Sequence, residues 1–192
     1  MHANDMQLRL RRLLRPHETV LQAEVATALP YDDPDMRLLT GNQSAPVFVA
    51  VTPARLIEIG QNDHASSGRW GDMLALSVRK VGRKWRYQWQ RQGQSMPYQP
   101  MQVSSEMAEL LTGVQAGRVP LMSLPEEWTT YSRVARPHDN SPVGQVAKKM
   151  GMAEVALLCD ACGGTVGLGE PYGTECLVCH RQLSPAGDGS AS

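Results

Sequence analysis

The spacing of apolar residues changes along the chain, and each change predicts a different kind of element. Residues 6–15 set Leu8, Leu10, Leu13 and Leu14 among Arg9, Arg11, Arg12 and Arg15, which predicts a short basic amphipathic helix ended by Pro16. From Glu18 the pattern turns to strands. Residues 18–28 are rich in strand formers, and the polar stretch holding Pro30, Asp32, Asp33, Pro34 and Asp35 breaks them off. Residues 45–51 and 55–59 are short apolar runs around Thr52-Pro53-Ala54, a hairpin pattern, and a loop is expected over 61–68. Runs at 70–81, 84–91 and 96–103, parted by Gly82-Arg83 and Gly93, continue the series. Short strands recurring with short turns predict a mainly β fold, an antiparallel sandwich or partial barrel. Ser104 or Ser105 then caps a helix to about Ala116, with Met107, Leu110, Leu111 and Val114 on one stripe.

Beyond residue 118 the pattern predicts a helical connector over 119–152. Ser123-Leu-Pro-Glu126 has the capping-box spacing and starts a short helix holding Trp128 and Tyr131; Ser141-Pro142 starts another, to about Met150. The expected layout is a basic helix (1–15), a β domain (16–118), this connector, a metal module (153–183) and a disordered tail (184–192), which is poor in apolar residues.

The metal module holds the chain's only four cysteines, Cys159-Asp-Ala-Cys162 and Cys176-Leu-Val-Cys179, with 13 residues between the pairs. Two thiolates three positions apart reach one ion from a tight knuckle turn, and a second knuckle completes a tetrahedron, the pattern of structural zinc. Gly163 and Gly164 after Cys162 let the chain turn with positive φ, so that backbone N–H groups face the sulfurs. The module resembles a zinc ribbon, with His180 where the second knuckle's glycine is usual. Four cysteines close the coordination shell, so one structural Zn2+ is expected, with Cys159, Cys162, Cys176 and Cys179 as ligands; the same spacing also admits two disulfides, or iron in place of zinc. His17, His64, His138 and His180 show no ligand spacing and are expected at the surface.

Composition narrows the classes. A hydrophobic content of 42% supports a packed core. Nineteen basic and nineteen acidic residues leave no net charge, which argues against bulk binding of polyanions. The balance is uneven, with 14 basic and 11 acidic residues up to Arg118 and 5 and 8 beyond it. No apolar run reaches the roughly 20 residues that span a bilayer, and the N-terminal arginines do not make a secretory signal. Cysteines committed to metal fit a reducing compartment, so a cytoplasmic location is expected.

Two stretches of the first domain resemble bacterial pleckstrin-homology-like (GRAM-like) domains. Leu14-Arg15-Pro-His-Glu18-Thr-Val-Leu is similar to their "L-x-P-G-E-x-V-L" first strand, with His17 in the glycine's place. Val49-Ala-Val-Thr52-Pro-Ala-Arg55-Leu-Ile-Glu-Ile-Gly60 is similar to their "V-T-x-x-R-L-x-x-x-G" hairpin. Trp70-Gly-Asp-Met-Leu-Ala-Leu-Ser-Val resembles a later strand of the pattern "D-I-x-x-V". The resemblance implies a bent seven-stranded β-sandwich or partial barrel plugged at one end by a helix, used to bind lipids, peptides or other copies of the chain.

Residues 79–91 carry six basic side chains and no acid. Arg79, Lys80, Arg83, Lys84 and Arg86 are candidate contacts to an anionic ligand, with a solvated hairpin tip as the default reading. Trp85, Tyr87 and Trp89 share one face by strand periodicity and serve either as core or as a stacking platform for single-stranded nucleic acid. The chain lacks a P-loop, a nucleotide fingerprint, a G-x-S-x-G elbow and a zincin helix. The expectation is therefore a non-enzymatic bacterial adaptor whose partner is another protein or a second copy. A nucleic-acid-binding regulator is the alternative, and a peripheral membrane contact of the basic helix is the lesser possibility.

Overall fold

The computed structural model describes residues 3–35, 37, 44–60, 65–136, 149, 154–168 and 175–184. The chain divides into two compact units, Met1–Leu124 and Pro125–Ser192. The helix expected over 141–150, the histidines at 64 and 138, and residues 185–192 of the expected tail lie outside the described residues, Lys149 excepted.

The first unit opens with helix α1 (Ala3–Leu13) and continues through strands β1 (Gln22–Ala28), β2 (Ala45–Val51), β3 (Arg55–Ile59), β4 (Ala65–Arg69), β5 (Met73–Val81), β6 (Lys84–Arg91) and β7 (Met101–Val103). Helix α2 (Ser105–Gln115) follows. All seven strands join one antiparallel sheet in the order β4-β3-β2-β1-β7-β6-β5, curled into a half-barrel. The fold is mainly β, as the run of short strands predicts.

Packing shows why the sheet curls. Val49, Val51 and Leu56 alternate inward, meet Tyr87 and Trp89 from β6, and receive Met107, Ala108 and Leu111 from α2. Ser104 is the N-cap of that helix, its hydroxyl accepting from the Met107 N–H, as its position before the apolar stripe requires. The Glu24 carboxylate on β1 in turn accepts from the Ser104 N–H at 2.8 Å, which ties the helix start to the sheet. On β2 and β3, Ala50, Ile57 and Ile59 point the other way yet are fully buried. Helix α1 packs against β3 and buries Met6, Leu10 and Leu13, so the basic helix is docked on its own domain. Each such side chain contributes roughly 1.5–3 kcal/mol by leaving water.

The two stretches that resemble the pleckstrin-homology-like pattern meet in one buried network. Glu18 accepts from Arg55 Nε at 2.9 Å and from Arg55 Nη2 at 2.8 Å, and from the Thr52 hydroxyl at 2.8 Å. Arg55 Nη2 also donates to the Leu13 carbonyl at the end of α1. Burial alone would push the Glu18 carboxyl up, but the hydrogen bond and charge of Arg55, with the Arg15 N–H and Thr52, hold it below its usual value. His17, in the glycine's place, has φ of 66°, the left-handed conformation that glycine adopts freely, and is exposed as expected.

Residues 61–68 do not form the expected loop throughout, because β4 begins at Ala65 and pairs with β3 from Arg55↔Arg69 to Ile59↔Ala65. Its small residues are a consequence of packing. A Cβ on Gly68 would lie 2.4 Å from Trp89 Cζ3, so the indole needs the space that glycine leaves. The curl brings β6 close to β4, and Arg91 Nη2 donates to the Ser67 carbonyl across the gap. Glu58 on β3 likewise accepts from Tyr87 at 2.7 Å and Trp89 Nε1 at 2.9 Å on β6, a bridge through the interior between strands that are not neighbours. Strand β7 is shorter than the 96–103 run; Tyr98 lies outside the regular ladder but keeps its N–H on the Trp89 carbonyl at 2.7 Å and stacks its ring on Trp89 with centroids 3.8 Å apart.

In the second unit, β8 (Trp128–Thr129), β9 (Tyr131–Arg136), β10 (Glu154–Cys159), β11 (Thr165–Leu168) and β12 (Gln182–Leu183) form a three-stranded sheet, β11-β10-β9, and a parallel pair, β12-β8. The helix expected to hold Trp128 and Tyr131 does not form: both residues lie in strands. Pairing of β9 with β10 along its whole length, from Glu154↔Arg136 to Cys159↔Tyr131, outweighs the local capping-box pattern.

Candidate metal centre

The four cysteines converge at one point between two knuckles of the same construction. Cys159 ends β10, its N–H donating to the Gly164 carbonyl at 2.9 Å while Gly163 N–H donates to the Cys159 carbonyl at 2.7 Å. In the second knuckle Cys176 N–H donates to the Arg181 carbonyl at 2.9 Å and His180 N–H to the Cys176 carbonyl at 2.7 Å. Position for position, His180 therefore replaces Gly163. Both take the left-handed conformation, at φ 58° and 72°.

All four sulfurs lie within 4.8 Å of one another, with Cys159–Cys179 and Cys162–Cys176 at 3.7 Å. A tetrahedron of thiolates about 2.3 Å from zinc has edges of about 3.8 Å, so the donor set has the dimensions of a zinc site. A disulfide would need about 2.05 Å, and the four cysteines are unbridged. The surroundings suit thiolates: Gly164 N–H donates to Cys162 Sγ at 3.3 Å, and the Thr129 hydroxyl lies 4.0 Å from Cys159 Sγ. A Cβ on Gly164 would sit 2.8 Å from Val178 Cγ2, so this glycine is required by the close approach of the second knuckle.

Proton sharing among the sulfurs shows what a cation must supply. Hydrogen bonds from Cys162 and then Cys176 lower Cys159 to about 7, and those from Cys159, Cys162 and Cys176 lower Cys179. Hydrogen bonding to Cys159, Cys176 and Cys179 pushes Cys162 up, and that to Cys159 and Cys179 pushes Cys176 up against a lowering by Cys162. Four sulfurs this close keep some of their protons unless a positive ion sits among them; a divalent ion replaces those protons and makes all four thiolates.

His180 is buried, which corrects the expectation of a surface position. Its side chain turns to Glu175, whose carboxylate accepts from Nδ1 at 2.6 Å, and it is not one of the converging ligands. Residues absent from the sequence reading fix the knuckles in place. Asp160 accepts from Ser132 at 2.5 Å and from the Thr130 hydroxyl on the first knuckle's side, and Glu127 accepts from Arg181 Nε at 2.9 Å on the second. These partners are some 28 to 54 positions apart, a separation that leaves no local signal.

The other candidates separate by face. Strand register sets Arg79 opposite Arg86 and Val81 opposite Lys84, so Arg79, Lys84 and Arg86 share the outer face of the β5–β6 hairpin. Lys80 pairs with Trp85 on the opposite face, its Nζ 5.8 Å from the Trp85 ring, and Arg83 lies in the turn beside Gly82 at φ 61°. Tyr87 and Trp89 are each 1% exposed and belong to the core, with Trp85 packed against it. The aromatic face is thus core and not an open stacking platform. No helix among the described residues is long and apolar enough to cross a membrane.

Comparison with models of protein families, with curated proteins and with solved structures found no match for the chain.

Proposed function

We propose that this chain is a non-enzymatic bacterial adaptor, cytoplasmic, in which a pleckstrin-homology-like domain (16–118) is joined to a ribbon holding one structural zinc. The observation that carries the reading is the closed metal centre. Four cysteines converging from two matched knuckles fill a tetrahedral shell and leave no position for substrate or water, so the metal organises a fold and does not perform chemistry. Such a small unit has little core of its own, and metal binding then supplies much of its folding energy.

Three features support the pleckstrin-homology-like part. The sheet is a single antiparallel curl of seven strands, a helix follows the last strand and packs into the concave core, and the two motif stretches meet in the Glu18–Arg55 pair. The left-handed His17 occupies the place where the family pattern has glycine. Protein partners are favoured over nucleic acid because the aromatics of β6 are turned into the core.

Affinity capture from host lysate at moderate salt, with and without nuclease, tests the reading. It expects a protein partner that survives nuclease treatment. Retention of nucleic acid alone, lost with nuclease, would overturn it in favour of the regulator.

A further inference from the structure

The outer face of the β5–β6–β7 sheet carries charge of one sign. Its outward positions on β5 are Ala75, Ser77, Arg79 and Val81; on β6 they are Lys84, Arg86, Gln88 and Gln90; on β7 the position is Gln102. No acid stands among them, although the chain as a whole is neutral. Arg79 lies directly opposite Arg86, and like charges in that relation destabilise a ladder. Lys84 follows two residues away on the same face, and Arg83 projects from the adjoining turn.

The hairpin's own compensation is incomplete. Asp32 pairs with Arg79 at 2.8 Å, with both side chains more than half exposed, a geometry in which an ion pair contributes little. Arg86 Nε is shielded from solvent and has no hydrogen-bond partner among the described residues. Asp32 shows that a carboxylate is accommodated against this face. Arg86 Nε is out of a ligand's reach, so a second carboxylate beside Arg86 would separate the two guanidinium groups by accepting from its terminal nitrogens.

We infer that this face docks an acidic protein segment, whose carboxylates bind between Arg79 and Arg86 and reach Lys84 and Arg83. The inference rests on the adaptor reading and names the chemistry of its partner. A peptide is preferred to nucleic acid because Trp85, Tyr87 and Trp89 point away from the patch and offer bases nothing to stack on.

The test uses the full zinc-loaded chain and fluorescence anisotropy with three probes: a glutamate-rich peptide, a single-stranded oligonucleotide of equal charge, and vesicles containing phosphatidylserine. The peptide is expected to bind in a salt-dependent manner, at least tenfold tighter than the other two. Arg86→Glu removes the repulsive pair, so it should weaken the peptide at least tenfold while leaving the melting temperature unchanged or higher. Arg86→Gln should weaken binding several-fold, and Arg11→Glu on α1 should leave it unchanged. Absence of peptide binding, equal binding of oligonucleotide or vesicle, or undiminished binding by both Arg86 variants would overturn the inference. If the lysate capture still retains a protein in that event, the adaptor reading survives and only this surface is wrong.

Discussion

Replacing Glu18 by glutamine probes the contact that joins α1, the approach to β1 and the β2–β3 hairpin. The two carboxylate oxygens divide four donors: Oε1 takes Arg55 Nε and the Thr52 hydroxyl, and Oε2 takes Arg55 Nη2 and the Arg15 N–H. An amide accepts on one side only, so its NH2 would face two donors, and the Arg55 charge would remain with its side chain at 0% exposure. Removing one partner of a buried pair costs about 3–5 kcal/mol. For a unit of this size that is a fall of roughly 10–20 °C in melting temperature, measured by circular dichroism at pH 7 with zinc present. The double substitution Glu18→Leu/Arg55→Met should be less damaging than Glu18→Gln, because it leaves no buried charge. The sign with pH is also fixed. Glu18 lies below its unfolded value of about 4.3, so the unfolded chain binds the extra proton. Its contribution is complete above that value and is lost as the pH falls through the folded one; the glutamine variant should lack this acid limb. A loss under about 1 kcal/mol at pH 7, with the acid limb retained, would refute the reasoning.

Two further outcomes follow from the same unit. Burial pushes Glu58 above its usual value against the hydrogen bonds of Tyr87, Ser66 and Trp89, so the folded state holds the proton longer and stability falls as the pH rises from about 4.3 through the folded value; Glu58→Gln, whose Oε1 still accepts from Tyr87 and Trp89, should flatten that slope in pH-dependent denaturant melts. His17→Gly removes a side chain held at φ 66° on the surface and should stabilise the first unit by roughly 0.5–1 kcal/mol in the same melts, with no change in metal content.

What the sequence revealed was local. The β2–β3 hairpin and β6 lie where the apolar runs end, because turn residues and strand formers act over a few positions. The N-cap at Ser104 and the four converging sulfurs were legible for the same reason: each rests on a short fixed spacing. Strand β4 was hidden because Ala65-Ser-Ser-Gly-Arg69 has no strand signature, and only β3 beside it and Trp89 above Gly68 make it one. Strands β8 and β9 were hidden by a capping-box pattern that loses to long-range pairing with β12 and β10. The burial of His180 was equally illegible, since it depends on the turn of the second knuckle that brings Glu175 to its ring. For the strands the deciding neighbour is supplied by another part of the chain, and for His180 by a residue five positions back that only the knuckle's turn brings to its ring.

The metal centre is the claim on which the rest depends, and metal content per chain tests it most directly. Protein purified under reducing conditions should carry one zinc by elemental mass spectrometry. Cys159→Ser and Cys176→Ser should each lose it and unfold the second unit while the first unit melts as before, because each removes one corner of the closed shell. Full zinc content in both variants, or a folded second unit in wild-type protein stripped of metal by a chelator, would contradict the account.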